Sequence, residues 1–255
     1  MKRILIALPA AVLIGLSLPA VGQEAEAIEA YMSGNYASAL ARTANAPDAD
    51  SRAFAARILL AEAIRQNGQP PHALLQDALD EANQALALQP GHIEGRLQKA
   101  IALSLISRPM STGEIRRAGI GGEARDLAEA VLAEDPGNVY AHGFLAVWNI
   151  EVIRRGGMIG AMIMGASLDK ARDHYHAAMQ ITPDDAAIHW QWARALAALN
   201  AKKYRRDIDT ALEAAIASPV NSDLERVMQI RAVKLKQALE IDGPVAAEAM
   251  AREVL

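Results

Sequence analysis

The histidines are the first side chains to consider, since an imidazole can bind a metal ion or move a proton near neutral pH. His174 and His176 lie two residues apart in a segment of helical composition, so their side chains diverge by about 200°. They therefore cannot hold one metal ion from that helix alone. His142 and His189 each follow a proline by six residues, which gives them equivalent positions in a repeat. These two histidines either bind a metal ion or a proton, or pack between helices. Because the sequence has no His-Glu-x-x-His spacing, the packing role is favoured.

No motif for a catalytic nucleophile or a bound phosphate is present, since both Gly-x-Ser-x-Gly and the P-loop spacing are missing. The glycine-rich stretch 119–122 follows a polar hinge rather than a strand, so we interpret it as a flexible connection before a helix at Glu123. Asp184 and Asp185 directly follow Pro183, where negative charge suits a helix N-terminus. The absence of cysteine excludes a thiol nucleophile and cysteine-ligated zinc. The sequence predicts that the protein is not an enzyme and uses no cofactor or metal ion.

The least ordinary segment is 154–167, which is apolar, rich in glycine and unusually rich in methionine. Because methionine adapts to irregular surfaces, residues 156–167 are a candidate lid over an apolar ligand, with Met158, Met162 and Met164 as the contacting side chains. The alternative is a short buried helix whose glycines permit close approach.

Basic side chains cluster at Arg116 and Arg117 and again within 202–206. Such clusters can attract an acidic partner or an anionic surface, and they also occur in solvated turns between helices. The whole chain has a formal net charge of −4, which argues against nucleic-acid binding as its main role.

The first 22 residues have the layout of a secretory signal peptide: a basic start at 2–3, an apolar run over 4–21, and small residues before Gln23. The sequence predicts cleavage after Gly22 and a periplasmic or secreted protein. The alternative is an uncleaved membrane anchor, which the shortness of the apolar run and the prolines within it disfavour. No later segment predicts a stable membrane span.

A repeat organises the rest of the chain. Four similar segments end in a proline, at Pro90, Pro136, Pro183 and Pro219. The fifth residue before each proline is small, and the positions are Ala85, Val131, Ala178 and Ala214. Ten residues after the first three prolines lie Ala100, Ala146 and Ala193. Each proline is expected to stop one helix and open the next, so a unit holds two helices of about 12–16 residues joined by a variable hinge.

Helix-start signals support an all-α chain. Ser111 with Glu114 and Ser222 with Glu225 have the spacing of a capping box, and Ser167 is a plausible N-cap. Alternating strand patterns are nearly absent, whereas alanine, leucine, glutamate and arginine dominate.

Two sets of residues carry a resemblance to a known family. One is the segment 34–36 (Gly-Asn-Tyr), followed by Ala39 and Leu40; the other is Ala171, Tyr175, Ala178 and Pro183. In both sets of residues, the sequence resembles a divergent member of the tetratricopeptide repeat superfamily. The resemblance implies a right-handed α-solenoid of stacked helix-turn-helix hairpins, with a single domain over 23–255. Its expected units are 24–46, 50–90, 92–136, 138–183 and 185–219, followed by capping helices over 221–254.

The resemblance also implies that the first helix of each unit lines a concave face that holds a protein segment. The candidate binding residues on that face are Gln98, Tyr140, Phe144, Val147, Trp190, Gln191 and Arg194. For Trp190 the alternative is core packing. We expect a non-enzymatic, exported scaffold that binds proteins or self-associates, for instance in assembling an envelope complex. The alternative is a carrier of an apolar small molecule with 156–167 as its lid.

Overall fold

The computed structural model describes residues 23–44, 46 and 48–253, and the predicted signal peptide lies outside them. The described residues form thirteen α-helices and one π-helical turn, with no strand among them. The helices are α1 (Gln23–Met32), α2 (Tyr36–Thr43), α3 (Ala49–Arg65), α4 (His72–Leu88), α5 (Ile93–Ile106), α6 (Thr112–Ala118), α7 (Ile120–Glu134), α8 (Val139–Met164), α9 (Leu168–Ile181), α10 (Ala186–Asn200), α11 (Arg205–Ala217), α12 (Asp223–Gln237) and α13 (Pro244–Glu253). The π-helical turn, Ala238–Asp242, joins the last two. The all-α prediction is confirmed.

Helices pack in pairs along the chain: α1 with α2, α3 with α4, α5 with α7, α8 with α9, and α10 with α11. The short α6 lies between α5 and α7. The helices α3, α5, α8 and α10, each the first of its pair, also contact one another in that order, and α12 packs on α10. Helix α10 has the largest share of the core, where Trp190 is fully buried and the ring of Tyr175 stacks on Trp192 with a centroid distance of 4.5 Å. A row of first helices therefore forms the inner layer of the fold.

The repeated prolines end their helices as the sequence predicts. Leu88, Glu134, Ile181 and Ala217 are the last helical residues, each two positions before a proline. The next helices begin three or four residues after the proline, behind the N-caps His92, Asn138, Asp185 and Ser222. The prolines therefore lie in the loops, and the expectation that they open the next helix was wrong, since each following helix begins behind a side-chain cap.

The helix-start signals are confirmed at Ser111 and Ser167. Ser111 forms the full capping box with Glu114, and the Ser167 hydroxyl accepts a hydrogen bond from the backbone of Lys170. Ser222 caps α12 as expected, and the Glu225 carboxylate accepts from the backbone N–H of Asn221. At the glycine-rich stretch 119–122 the expectation was wrong, since α7 already begins at Ile120.

Small residues sit where helices approach closely. Ala85, Val131 and Ala178 are fully buried, as are Ala100 and Ala193. In the fourth repeat the burial shifts by one position, from Ala214 to Ala215. The methyl groups allow neighbouring helices to pack at short distances, which larger side chains would prevent.

The last helices return to the first ones. Helix α12 contacts α1 and α3 as well as α10 and α11. The Arg231 guanidinium on α12 donates hydrogen bonds to the backbone oxygens of Ile64 and Gln66 at the end of α3, at 2.8 and 2.9 Å. The turn at Gly34 lies against Asp223, and its φ of +79° favours glycine there. The row of inner helices thus curves until its ends meet.

In the part of the chain described, no helix is both long enough and apolar enough to cross a membrane.

Candidate functional site

Six polar side chains converge on the inner layer: five come from α1, α3, α5, α8 and α12, and the sixth is the N-cap of α10. They are Tyr31 of α1, Arg57 of α3, Glu94 of α5, Tyr140 of α8, the α10 cap Asp185, and Glu225 of α12. All six are partly buried, and each of them alters the pKa of at least one of the others. We call this set the inner polar cluster. No single unit of the repeat could build it.

The strongest contact in the inner polar cluster joins Arg57 to Glu94. The Nε and Nη2 atoms of Arg57 lie 2.6 and 2.5 Å from Oε1 of Glu94, and Gln98 donates to the same oxygen at 2.7 Å. Burial alone would lower the pKa of Arg57, but the Glu94 carboxylate raises it well above its usual value. This ion pair links α3 of the second helical pair to α5 of the third on the inner face.

The other carboxylates have no such cation. Asp185 accepts a hydrogen bond from the backbone N–H of Ile188 at 2.9 Å and another from Tyr140. Burial raises the pKa of Asp185, and burial together with the nearby Asp185 raises the pKa of Glu225. Burial also raises the pKa values of the Tyr31 and Tyr140 phenols. With one arginine and three carboxylates, the cluster carries a formal charge of −2 at neutral pH.

This arrangement is suited to binding more than to catalysis. It contains no thiol, and its hydroxyls are the phenols of Tyr31 and Tyr140, whose pKa values are raised by burial. Across the described residues, no three histidine, aspartate or glutamate side chains are grouped so as to hold a metal ion. The cluster contains two desolvated carboxylates and two aromatic rings, and these groups favour the binding of a cationic group.

The other end of the inner layer is covered by the chain's own last helix. The side chain of Arg194, only 3% exposed, lies 3.3 Å from both the Glu151 carboxylate and the backbone oxygen of Ala251 in α13. Arg108 donates to the backbone oxygen of Arg252 at 3.0 Å, and burial, together with Arg194, lowers the pKa of Arg108 to about 9. Cations at the C-terminal end of α13 complement its dipole. Helix α13 therefore packs on α10 and α12, and Arg108 and Arg194 bind the backbone of its last turn.

The histidines connect helices. The Nε2 atoms of His142 and His189 lie 3.1 and 2.8 Å from the carbonyl oxygens of Pro136 and Pro183, the same contact in two repeats. Their Nδ1 atoms face α9, where His142 meets His174 at 3.0 Å and His189 meets the hydroxyl of Tyr175 at 2.7 Å. The predicted packing role between helices is confirmed. Burial, and next the neighbouring His142, lowers the pKa of His174.

The methionine-rich segment continues α8 beyond a break at Gly157, whose φ of +60° and ψ of −163° are not helical. Met158 and Met162 are 88% and 78% exposed, so neither side chain covers a cavity. Met164 instead lines a cleft of about 220 Å³ with Trp148 and His174. The segment is helical, as one alternative expected, but one of its faces is turned to solvent.

The seven candidate binding residues fall into two groups. Gln98, Trp190 and Arg194 are buried, whereas Tyr140, Phe144, Val147 and Gln191 are partly exposed. Trp190 lies in the core beside Trp192, so it presents no surface to a partner, and Arg194 is engaged with α13. Of the seven, only Tyr140 belongs to the inner polar cluster. Glu94 and Tyr140 share a place four residues after a proline, and this periodic signal is the one that points to the cluster from sequence.

The solved structures similar to this chain include a TPR protein. TTC0263 of Thermus thermophilus, described as a thermophilic TPR protein, matches with a TM-score of 0.55 and 18% identity, over 83% of this chain and 97% of that one. The chain has a TPR-like fold. The resemblance seen in the sequence is confirmed at the level of fold.

A second TPR-like match is to human IFIT1, solved as a dimer with m7Gppp-AAAA, with a TM-score of 0.48 and 17% identity. It covers 86% of this chain and 53% of IFIT1, so the TPR-like chain spans about half the length of that protein. No protein-family model matches the sequence, and no curated protein is significantly similar to it.

Proposed function

We propose that this protein is a non-enzymatic scaffold that binds a segment of another protein at the inner polar cluster. The observation that carries the proposal is the convergence of six polar side chains, from α1, α3, α5, α8, α12 and the N-cap of α10, on a single, partly solvent-exposed region. A site built from six helices spread along the chain uses the curvature of the TPR-like fold. Repeat proteins create extended binding surfaces in this way.

The chemistry of the cluster favours a basic side chain on the partner. Asp185 and Glu225 carry carboxylates whose pKa is raised by burial and lack the close cation that Glu94 has in Arg57. A lysine or arginine entering between them would restore favourable ionisation, and the rings of Tyr31 and Tyr140 would add cation–π attraction. The proposed ligand is therefore a protein segment that presents a lysine or arginine.

The compartment of this interaction is part of the proposal. The basic start, apolar run and small residues of 1–22 support export, with Gln23 as the first residue of the mature protein. The partner would then be a protein of the bacterial envelope or the exterior.

Affinity capture with matched variants tests the proposal. Tagged protein is expressed in its native host as the wild type, as Glu225→Gln, as Tyr140→Phe/Glu225→Gln, and as the control Asp184→Asn. Asp184 is exposed and adjacent in sequence to Asp185, so its variant removes one negative charge outside the cluster.

The expected result is a partner recovered equally with the wild type and with Asp184→Asn, and depleted at least tenfold with the double variant. Purified partner should then bind directly, and a peptide in which its basic residue is replaced by glutamine should bind more weakly. Equal recovery with all four proteins would refute binding at this cluster.

A further inference from the structure

The part of α8 that follows Gly157 carries an apolar surface with no partner in the fold. Met158, Ile159, Met162 and Ile163 are 88%, 70%, 78% and 70% exposed. At 100° per residue their side chains fall within about 140° of the helix circumference, so they share one face. We call these four residues the apolar tip.

The apolar tip is held in a defined orientation. Gly157 and Gly165, both with positive φ, bound the helical turns that carry it. On the opposite face Ala161 is buried against Trp148 and Ala166. The exposed side chains therefore belong to an anchored element whose other face packs on the core.

Helix α6 lies beside this element and adds positive charge. The Thr112 hydroxyl donates to the backbone oxygen of Arg155 at 3.4 Å, and the side chains of Ile115 and Met164 both lie beside Gly121. Arg116 and Arg117 on α6 are both exposed. Exposed apolar side chains and two exposed arginines thus lie on neighbouring elements.

The local charge is opposite in sign to that of the chain. Residues 107–122 contain three basic residues and one acidic one, and residues 151–169 contain two basic and two acidic residues, which gives +2 against −4 for the whole chain. A surface with exposed large apolar side chains beside arginines is complementary to a bilayer rich in anionic lipid, which takes up both kinds of group.

We propose that the apolar tip, with Arg116 and Arg117, docks this protein onto an anionic membrane surface. The four apolar side chains enter the interface between headgroups and acyl chains, and the two arginines contact lipid phosphates. A dimer made through the tip is disfavoured, since it would place the basic residues of both copies against each other. The docking is peripheral, and it leaves the inner polar cluster free for a protein partner.

Vesicle co-sedimentation tests the inference with purified residues 23–255. The probes are vesicles of phosphatidylcholine alone and of equal parts phosphatidylcholine and phosphatidylglycerol, at low and high salt. The variants are Ile159→Gln/Met162→Gln in the tip and Arg116→Gln/Arg117→Gln on α6. The control is Ile241→Gln/Val245→Gln, which removes two apolar side chains that are each 79% exposed outside the tip. Circular dichroism confirms that each variant is folded.

The wild type and the control should bind the anionic vesicles equally, with binding to phosphatidylcholine at least tenfold weaker. The tip variant should lose at least tenfold in affinity, and the arginine variant should lose several-fold together with most of the salt dependence. Three outcomes would each overturn the inference: no binding to anionic vesicles, equal binding by the tip variant and the control, or a wild-type dimer that the tip variant converts to a monomer.

Discussion

The contact that closes the row of inner helices gives the most direct test of the fold. Arg231 on α12 reaches back more than 160 residues to the end of α3, where one nitrogen donates to the oxygens of Ile64 and Gln66 at 2.8 and 2.9 Å. The residue is only 7% exposed, and burial lowers the pKa of its guanidinium. Replacing Arg231 by alanine removes these bonds and leaves two carbonyl groups to be solvated by water.

The expected loss follows from the strength of such bonds. A hydrogen bond from a charged donor contributes about 1.5–3 kcal/mol, and two bonds sharing one nitrogen are not additive. Removing the buried cation also recovers part of its desolvation cost. The free energy of unfolding should therefore fall by about 2 kcal/mol, which for an m-value of about 3 kcal/mol/M lowers the urea midpoint by about 0.7 M.

Urea unfolding followed by circular dichroism measures this loss, with Arg226→Ala as the matched control. Arg226 is exposed on the same helix, so its removal should change the midpoint little. Small-angle scattering adds a second readout, because loss of the contact between α12 and α3 should increase the radius of gyration. If Arg231→Ala leaves both the midpoint and the radius within the range of the control, the closure does not stabilise the protein.

Three further predictions concern the core, the histidines and the N-terminus. Trp190→Ala should lower the free energy of unfolding by about 3–5 kcal/mol, since the indole is fully buried and its truncation leaves a cavity. Urea unfolding measures this loss, and a loss under about 1 kcal/mol would contradict the packing of Trp190. Because the pKa of His174 is lowered in the folded state, the unfolded chain binds more protons near pH 6. Stability should therefore fall as the pH drops from 7 toward 5, and His174→Gln should flatten that slope in unfolding measured across this range; an unchanged slope would exclude His174 as its source. Mass spectrometry of the protein from its native host should find Gln23 at the N-terminus, whereas an intact Met1 would exclude cleavage after Gly22.

Local features were predictable because their physical causes act over a few residues. A proline stops a helix within one turn, which is why α4, α7, α9 and α11 end where the prolines predict. A serine hydroxyl three residues before a backbone N–H caps a helix by itself, as at Ser111 and Ser167. The buried alanines are likewise visible as a small-residue repeat. The shift of burial from Ala214 to Ala215 could not be predicted, since the length of the connecting loops decides how the last pair is rotated.

The inner polar cluster was only partly predictable. Tyr140 follows from its place after a proline, but Asp185 has the sequence signature of a helix cap, and Glu225 that of a capping box. Their proximity depends on how far the row of helices curves. The exposure of Met158 and Met162 was also undecided, because an apolar helix can be buried or exposed with the same sequence pattern.

The sequence by itself determined the helical class, the places where most helices begin and end, and the residues small enough for neighbouring helices to approach. It did so because caps, prolines and methyl groups act on their immediate surroundings. Only the tertiary structure decided that α12 meets α3, that α13 packs on α10, and that α1, α3, α5, α8, α10 and α12 bring one polar side chain each to the same region. These contacts depend on the small rotations between successive helical pairs, which accumulate over more than 200 residues. No local sequence pattern determines that accumulated rotation.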